Sequence, residues 1–65
     1  MKKLDVIEYF GSAGKVAKAL RINPSAITRW GDDVPEQTAF TIELLTKGAL
    51  KTDETLRILE LNNQD

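Results

Sequence analysis

Between Lys15 and Trp30 the chain reads KVAKALRINPSAITRW, two short apolar patterns joined by Arg21, Ile22 and Asn23. Together with Ala13, the residues Val16, Ala17 and Leu20 recur at spacings of three, one and three, which places them on one helical face. Gly14, Lys18 and Arg21 then fall on the opposite side, with Lys15 at the flank. Ser12 is a good N-cap for this helix, because its hydroxyl can accept from a first-turn amide. Asn23 suits the start of a second helix in the same way, and Pro24 fits its first turn, where no amide hydrogen is needed. Ile27 and Trp30 point inward from that helix together with Ile22, and Gly31 followed by Asp32 and Asp33 ends it. Small Ala17 permits a close crossing of the two helices and Ile27 fills it from the other side. Residues 12–31 are therefore predicted to form a helix-turn-helix.

The flanking sequence supplies three further elements. Leu4, Val6, Ile7 and Phe10 predict a short amphipathic helix that stops at Gly11. Pro35 opens a fourth helix running to about Lys47, where Gly48 stops it. Thr52 can cap a fifth, whose first-turn Asp53 and Glu54 suit the helix dipole. Leu56 and Leu59, with Ile58, are its expected buried positions, and the tail Asn62 to Asp65 is expected to fray. One segment has a rival reading. Phe40, Ile42 and Leu44 alternate with Thr41 and Glu43, and LRILEL at 56–61 has a similar character, so a C-terminal β-hairpin would give an α+β fold. Against it, Ala39, Ile42, Leu45 and Ala49 follow helical spacing, and the hairpin would need a loop of roughly ten residues where two to five are usual. The favoured class is all-α, with five helices.

Sixty-five residues allow one small domain, 1–65, whose core is only just large enough. Cysteine and histidine are absent, which excludes disulfide scaffolds, zinc sites and thiol or imidazole catalysis. Ser12 and Ser25 have no base nearby in sequence, so the chain is not expected to be an enzyme. Asp32, Asp33 and Glu36 match no metal-binding loop and suit a helix start, so neither metal nor cofactor is expected. In MKKLDVIEYFGS, acids and a glycine interrupt the apolar run. A signal peptide or membrane span is thus not expected, and a soluble cytoplasmic protein with no small-molecule substrate is the simple reading.

The formal charge of −1 conceals a strong segregation. Residues 1–31 hold six basic residues against two acidic ones, whereas 32–65 hold three against eight, and no acid lies between Phe10 and Gly31. Such asymmetry points to a basic face for a polyanion and an acidic remainder. On the second helix of the motif, Ser25, Thr28 and Arg29 face outward, with Asp32 just beyond. They are the side chains placed to reach base edges if this helix enters a major groove. Lys15, Lys18 and Arg21 lie beside it, where phosphates run. Arg29 is the strongest candidate, since a guanidinium pairs bidentately with guanine O6 and N7. Trp30 shares a face with Ile27 and is assigned to the core.

On the fourth helix the inward face is expected to be Ala39, Ile42, Leu45 and Thr46, continued by Ala49. Phe40 and Leu44 then form an apolar pair on the opposite side, flanked by Glu36, Glu43 and Lys47. That pair is the expected contact of a weak homodimer, with recognition helices one DNA turn apart, roughly 34 Å. It also suits a second class of function, a small helical protein-interaction or antitoxin-like adaptor.

The order of DVIEYFGS, KVAKALRI, AITRW and VPEQTAFTIELLTKGAL, spanning about residues 4–51, resembles the small Cro repressors of lambdoid phages. The likeness is greatest to their all-helical branch and to the related YdaS-like bacterial regulators. This resemblance implies a five-helix, lambda-repressor-like domain acting in the bacterial host cell. It implies a dimeric repressor of double-stranded operator DNA, on a short and roughly palindromic site, with no cofactor. Carried onto this chain, the base-reading positions are Ser25, Ala26, Thr28 and Arg29. The phosphate contacts are Ser12 and Lys15, with Lys18, Arg21 and Asn23 beside them. The family's turn usually has glycine where this chain has Arg21, because that residue commonly adopts a positive φ. Its C-terminal third is helical in some members and a β-hairpin in others, and PEQTAF through KGAL looks like the helical ones.

Overall fold

The computed structural model describes residues 1–62. Five helices follow one another: α1 Lys3–Phe10, α2 Ala13–Leu20, α3 Pro24–Thr28, α4 Glu36–Leu45 and α5 Asp53–Asn62. Among the described residues there is no strand, so the fold is an all-α helix-turn-helix and the hairpin does not form. The helical spacing prevails over the alternation because Ala39, Ile42 and Thr46, at intervals of three and four, are all buried. Also among the described residues, no helix is long and apolar enough to cross a membrane.

The helix ends follow local chemistry. Gly11 closes α1 at φ 107°, its amide donating to the Ile7 carbonyl at 2.8 Å. Ser12 opens α2 by accepting from the Lys15 amide at 3.2 Å, and Asn23 opens α3 by accepting from the Ser25 amide at 3.0 Å. The Thr52 hydroxyl accepts from the Thr55 amide at 3.1 Å at the start of α5. Helix α4 ends at Leu45, short of the expected Lys47, because the chain turns left-handed at Lys47 (φ 53°) and Gly48 (φ 84°). The Gly48 amide then donates back to the Glu43 carbonyl at 2.9 Å.

The core is Val6, Val16, Ala17, Ile27, Val34, Ala39 and Ile42, rimmed by half-buried Ile7, Phe10, Leu20, Ile22, Trp30 and Leu50. Helix α1 packs on α2, and α2 on α3. Val34 joins the core through a backbone pairing that no periodicity signals. The Lys3 amide donates to the Asp32 carbonyl and the Val34 amide to the Met1 carbonyl, both at 2.9 Å. Thr46 is buried, but its hydroxyl donates to the Ile42 carbonyl at 2.8 Å and accepts from the Leu50 amide at 3.2 Å.

Several expected core positions lie outside. Leu4 is 74% exposed, and Leu45 and Ala49 also face solvent. Leu56, Ile58 and Leu59 are exposed on α5, which buries no residue. The reason is topological: α1 to α4 and the turn after α4 already enclose the small core before α5 begins. Glu43 is not a charged rim residue either. Its carboxylate accepts from the Thr52 amide at 2.8 Å and from the Thr55 hydroxyl at 3.1 Å. Asn62 is the last residue of α5, and the rest of the tail, 63–65, lies outside the described residues.

Ile42, fully buried at the centre, tests this packing. Ile42→Ala should lower the free energy of unfolding by about 2–5 kcal/mol, measured by urea denaturation, through lost burial and the cavity left behind.

Candidate nucleic-acid interface

The turn between α2 and α3 decides where the outward side chains point. Arg21 occupies the left-handed region at φ 57° and ψ 45°. Its amide donates to the Lys18 carbonyl at 3.3 Å, and the Ile22 amide reaches the Ala17 carbonyl at 3.0 Å. This pair of bonds closes α2 and reverses the chain within three residues. Ile22 is half-buried against the core and Ile27 is buried, so α3 is pinned from both ends.

With Ile27 inward, successive residues at 100° put Ser25, Thr28 and Arg29 together on the opposite face. All three are exposed, and Ala26 is half-buried at the edge of that face. Helix α3 spans only five residues, and Arg29 is its C-cap rather than a mid-helix residue. Its amide still donates to the carbonyls of Ser25 and Ala26, at 3.3 and 3.2 Å, so the guanidinium stem leaves from the last turn of the helix. Trp30 follows, half-buried and packed on the core, as its inward assignment requires.

Ser25 and Asn23 are coupled in a way that sequence reasoning missed. The Asn23 side-chain oxygen accepts from both the amide and the hydroxyl of Ser25, each at 3.0 Å. The Ser25 oxygen therefore faces solvent as an acceptor, and the Asn23 side-chain NH2 is left to meet an anion. The serine two residues after an N-cap asparagine was the available signal.

Ser12, Lys15, Lys18, Arg21 and Asn23 are all exposed around the start of α2 and the turn. Lys15 carries a second constraint. A Cβ placed on Gly11 would lie 3.3 Å from its Cδ and 3.4 Å from its Nζ, so Gly11 both ends α1 and clears a path for the lysine. Sequence reasoning saw only the first of those roles.

Among the described residues, Lys15, Lys18, Arg21 and Arg29 form no ion pair. Of the acids nearest in sequence, Asp33 is engaged elsewhere. Asp33 pairs with Lys2 at 3.2 Å, and that hydrogen bond, followed by the charge itself, holds the Lys2 ammonium above its ordinary pKa. Asp32 meets Lys3 only through its backbone carbonyl, and it is exposed. Among the described residues, the cations around α2 and α3 are thus exposed and outside any ion pair. Among the described residues no group of His, Cys, Asp or Glu could hold a metal ion. Phe40 and Leu44 are 42% and 79% exposed on α4.

Comparison with known proteins gives a consistent picture. The family of the DNA-binding transcriptional regulator Cro matches residues 2–60. The chain is similar to the regulatory protein cro of Salmonella phage P22, at 46% identity over 54 residues that cover 83% of this chain and 88% of that protein. It is also similar to the repressor protein of division inhibition gene dicB from Escherichia coli strain K12. That alignment has 35% identity over 74 positions and covers 100% of this chain and 97% of the relative. No solved structure matches the chain.

The geometry of the turn carries its own test. A non-glycine residue in the left-handed region costs roughly 1–2 kcal/mol. Glycine recovers that but gives the unfolded chain about 0.5–1 kcal/mol more entropy to lose. Arg21→Gly should therefore raise the unfolding free energy by roughly 0.5–1 kcal/mol, read by urea denaturation, with helical content unchanged.

Proposed function

The chain belongs to the Cro family of DNA-binding transcriptional regulators, and we propose that it represses transcription as a dimer on a short, roughly palindromic operator. Each copy takes one half-site and lays α3 in the major groove. The observation that carries this reading is the exposed triad Ser25, Thr28 and Arg29 on one helix face, seated on buried Ile27 and bordered by cations that, among the described residues, form no ion pair. Arg29 donates in a fork to guanine O6 and N7. Ser25, an acceptor toward the groove, suits the amino group of adenine or cytosine. Thr28 offers a methyl and a hydroxyl, and the edge of Ala26 offers an apolar contact for a thymine methyl.

Ser12, Lys15, Lys18, Arg21 and Asn23 grip the phosphates on either side and set the register of the helix. The positive charge serves affinity and the shorter polar residues serve sequence. Phe40 and Leu44 meet their counterparts on a second copy, which spaces two α3 helices by about one DNA turn, roughly 34 Å. The contact is small, so the dimer is weak in solution and tightens on DNA. In this reading the protein works in the cytoplasm of a bacterial host cell, without cofactor or small-molecule substrate.

Selection of bound sequences from a random duplex library tests the proposal directly. A two-fold symmetric consensus supports it, and binding without base preference overturns it. Arg29→Ala should weaken the selected site by about 1–3 kcal/mol and relax one base position in each half-site, with a much smaller loss on random duplex. Arg21→Gly should instead weaken all duplexes alike and reduce the log–log salt slope by about one. Phe40→Asp should leave a cooperative melt intact while reducing cooperative occupancy of a two-half-site duplex, measured by titration against a single half-site.

A further inference from the structure

Glu43 is bonded at both carboxylate oxygens to the start of α5. Oε1 accepts from the Thr52 amide at 2.8 Å and Oε2 from the Thr55 hydroxyl at 3.1 Å. The Thr52 hydroxyl donates to the Thr55 oxygen at 3.0 Å and accepts from the Thr55 amide at 3.1 Å. A continuous run of donors therefore ends on one carboxylate of α4. Thr52, the hub of this run, is buried.

Apolar packing offers α5 no comparable hold. It buries no residue, and Leu56, Ile58, Leu59 and Leu61 are all exposed. With ten residues, it is also shorter than the roughly 12–15 at which isolated helices become even marginal in water. Its place on the body depends on the polar contacts of its first turn. We infer that Glu43 is a latch that holds α5 on the body formed by α1 to α4, and that neutralising this carboxylate releases α5 as a unit while the helix-turn-helix stays folded.

The charged surroundings favour a latch that is closed when ionised. The Thr52 amide first, and the Thr55 hydroxyl next, hold Glu43 below the usual glutamate pKa, against partial burial. Lys51, in the connecting segment, adds to this and is itself tied to the Gly48 carbonyl. Asp53 of α5 faces the amino group of Met1 at 3.2 Å instead, and Glu54 lines one cleft with Glu36 and Phe40. A carboxylate with a depressed folded-state pKa contributes its full stability above the ordinary glutamate range. That contribution is lost as pH falls through the ordinary range and the lowered value. Acidification therefore opens the latch.

The same cleft, of about 210 Å³, links the latch to assembly, because the first turn of α5 lines it together with Phe40 and Ala39. Release of α5 reshapes the surface around Phe40 and leaves the DNA-facing side untouched. That consequence rests on the dimer proposed above; the release does not.

Native-state amide exchange by NMR on the free protein, corrected for intrinsic rates, tests the latch. Near neutral pH, Glu43→Ala should lower protection of α5 amides by about ten-fold or more, the effect of losing a charge-assisted hydrogen bond, with α2 and α3 unchanged. Thr55→Val, which removes one of the two bonds to Glu43 and the acceptor of the Thr52 hydroxyl at similar volume, should give a loss in the same place. The Glu43→Gln amide still accepts from Thr52 and can donate to Thr55. Without the charge it should hold α5 less well than the parent near neutral pH, and its α5 protection should not fall further through the carboxylate range, where the parent protein loses its own. Unchanged α5 protection in Glu43→Ala, or a loss shared equally by α2 and α3, would overturn the latch. Affinity of Glu43→Ala for a single half-site should match the parent, so a failure of DNA binding in the parent is seen separately from a failure of the latch.

Discussion

The structure depends on a reversal of the chain in three residues, from the end of α2 to the cap of α3. The bond from the Ile22 amide to the Ala17 carbonyl, with Arg21 left-handed between them, sets the crossing of the two helices. It brings Ile22 and Ile27 against Val16 and Ala17, and so turns the remaining face of α3 outward. A helix of only five residues has no stability of its own. It exists because its cap, its first-turn proline and its one fully inward side chain are all positioned by that turn.

Core volume is the second constraint. Seven buried apolar residues, three of them valine and two alanine, form a centre that α1 to α4 complete. Nothing remains for α5 to enter, so its attachment passes to hydrogen bonds at Glu43, Thr52 and Thr55. Large apolar side chains are then exposed along α4 and α5, on an acidic half of the chain that is poorly suited to phosphate. The basic half faces the other task. Segregated charge and segregated packing are two aspects of one division in the molecule.

Much of this was legible because the signals are local. Ser12, Asn23 and Thr52 cap helices through their own side chains, within three residues, and Gly11 ends α1 by its own backbone freedom. The outward placement of Ser25, Thr28 and Arg29 follows from helical angle once Ile27 is inward. Legibility ended where a residue's neighbours came from far along the chain. Val34 is drawn inward by a backbone pairing with Met1, and Asp33 is neutralised by Lys2. Leu45 and Leu56 fit a buried stripe by spacing, yet spacing cannot say whether any partner surface is left to bury them.

By itself, then, the sequence determined the helices, their caps, the sharp turn and the residues on the outer face of α3. These rest on interactions spanning a few residues, whose geometry is the same in any fold. Only the tertiary structure decided which apolar stripes are core, that Glu43 bonds the start of α5 rather than decorating a rim, and that, among the described residues, the cations near α3 form no ion pair. Those outcomes depend on how much space the first four helices leave, and on side chains that meet only after the chain has closed around Val6, Val16 and Ile42.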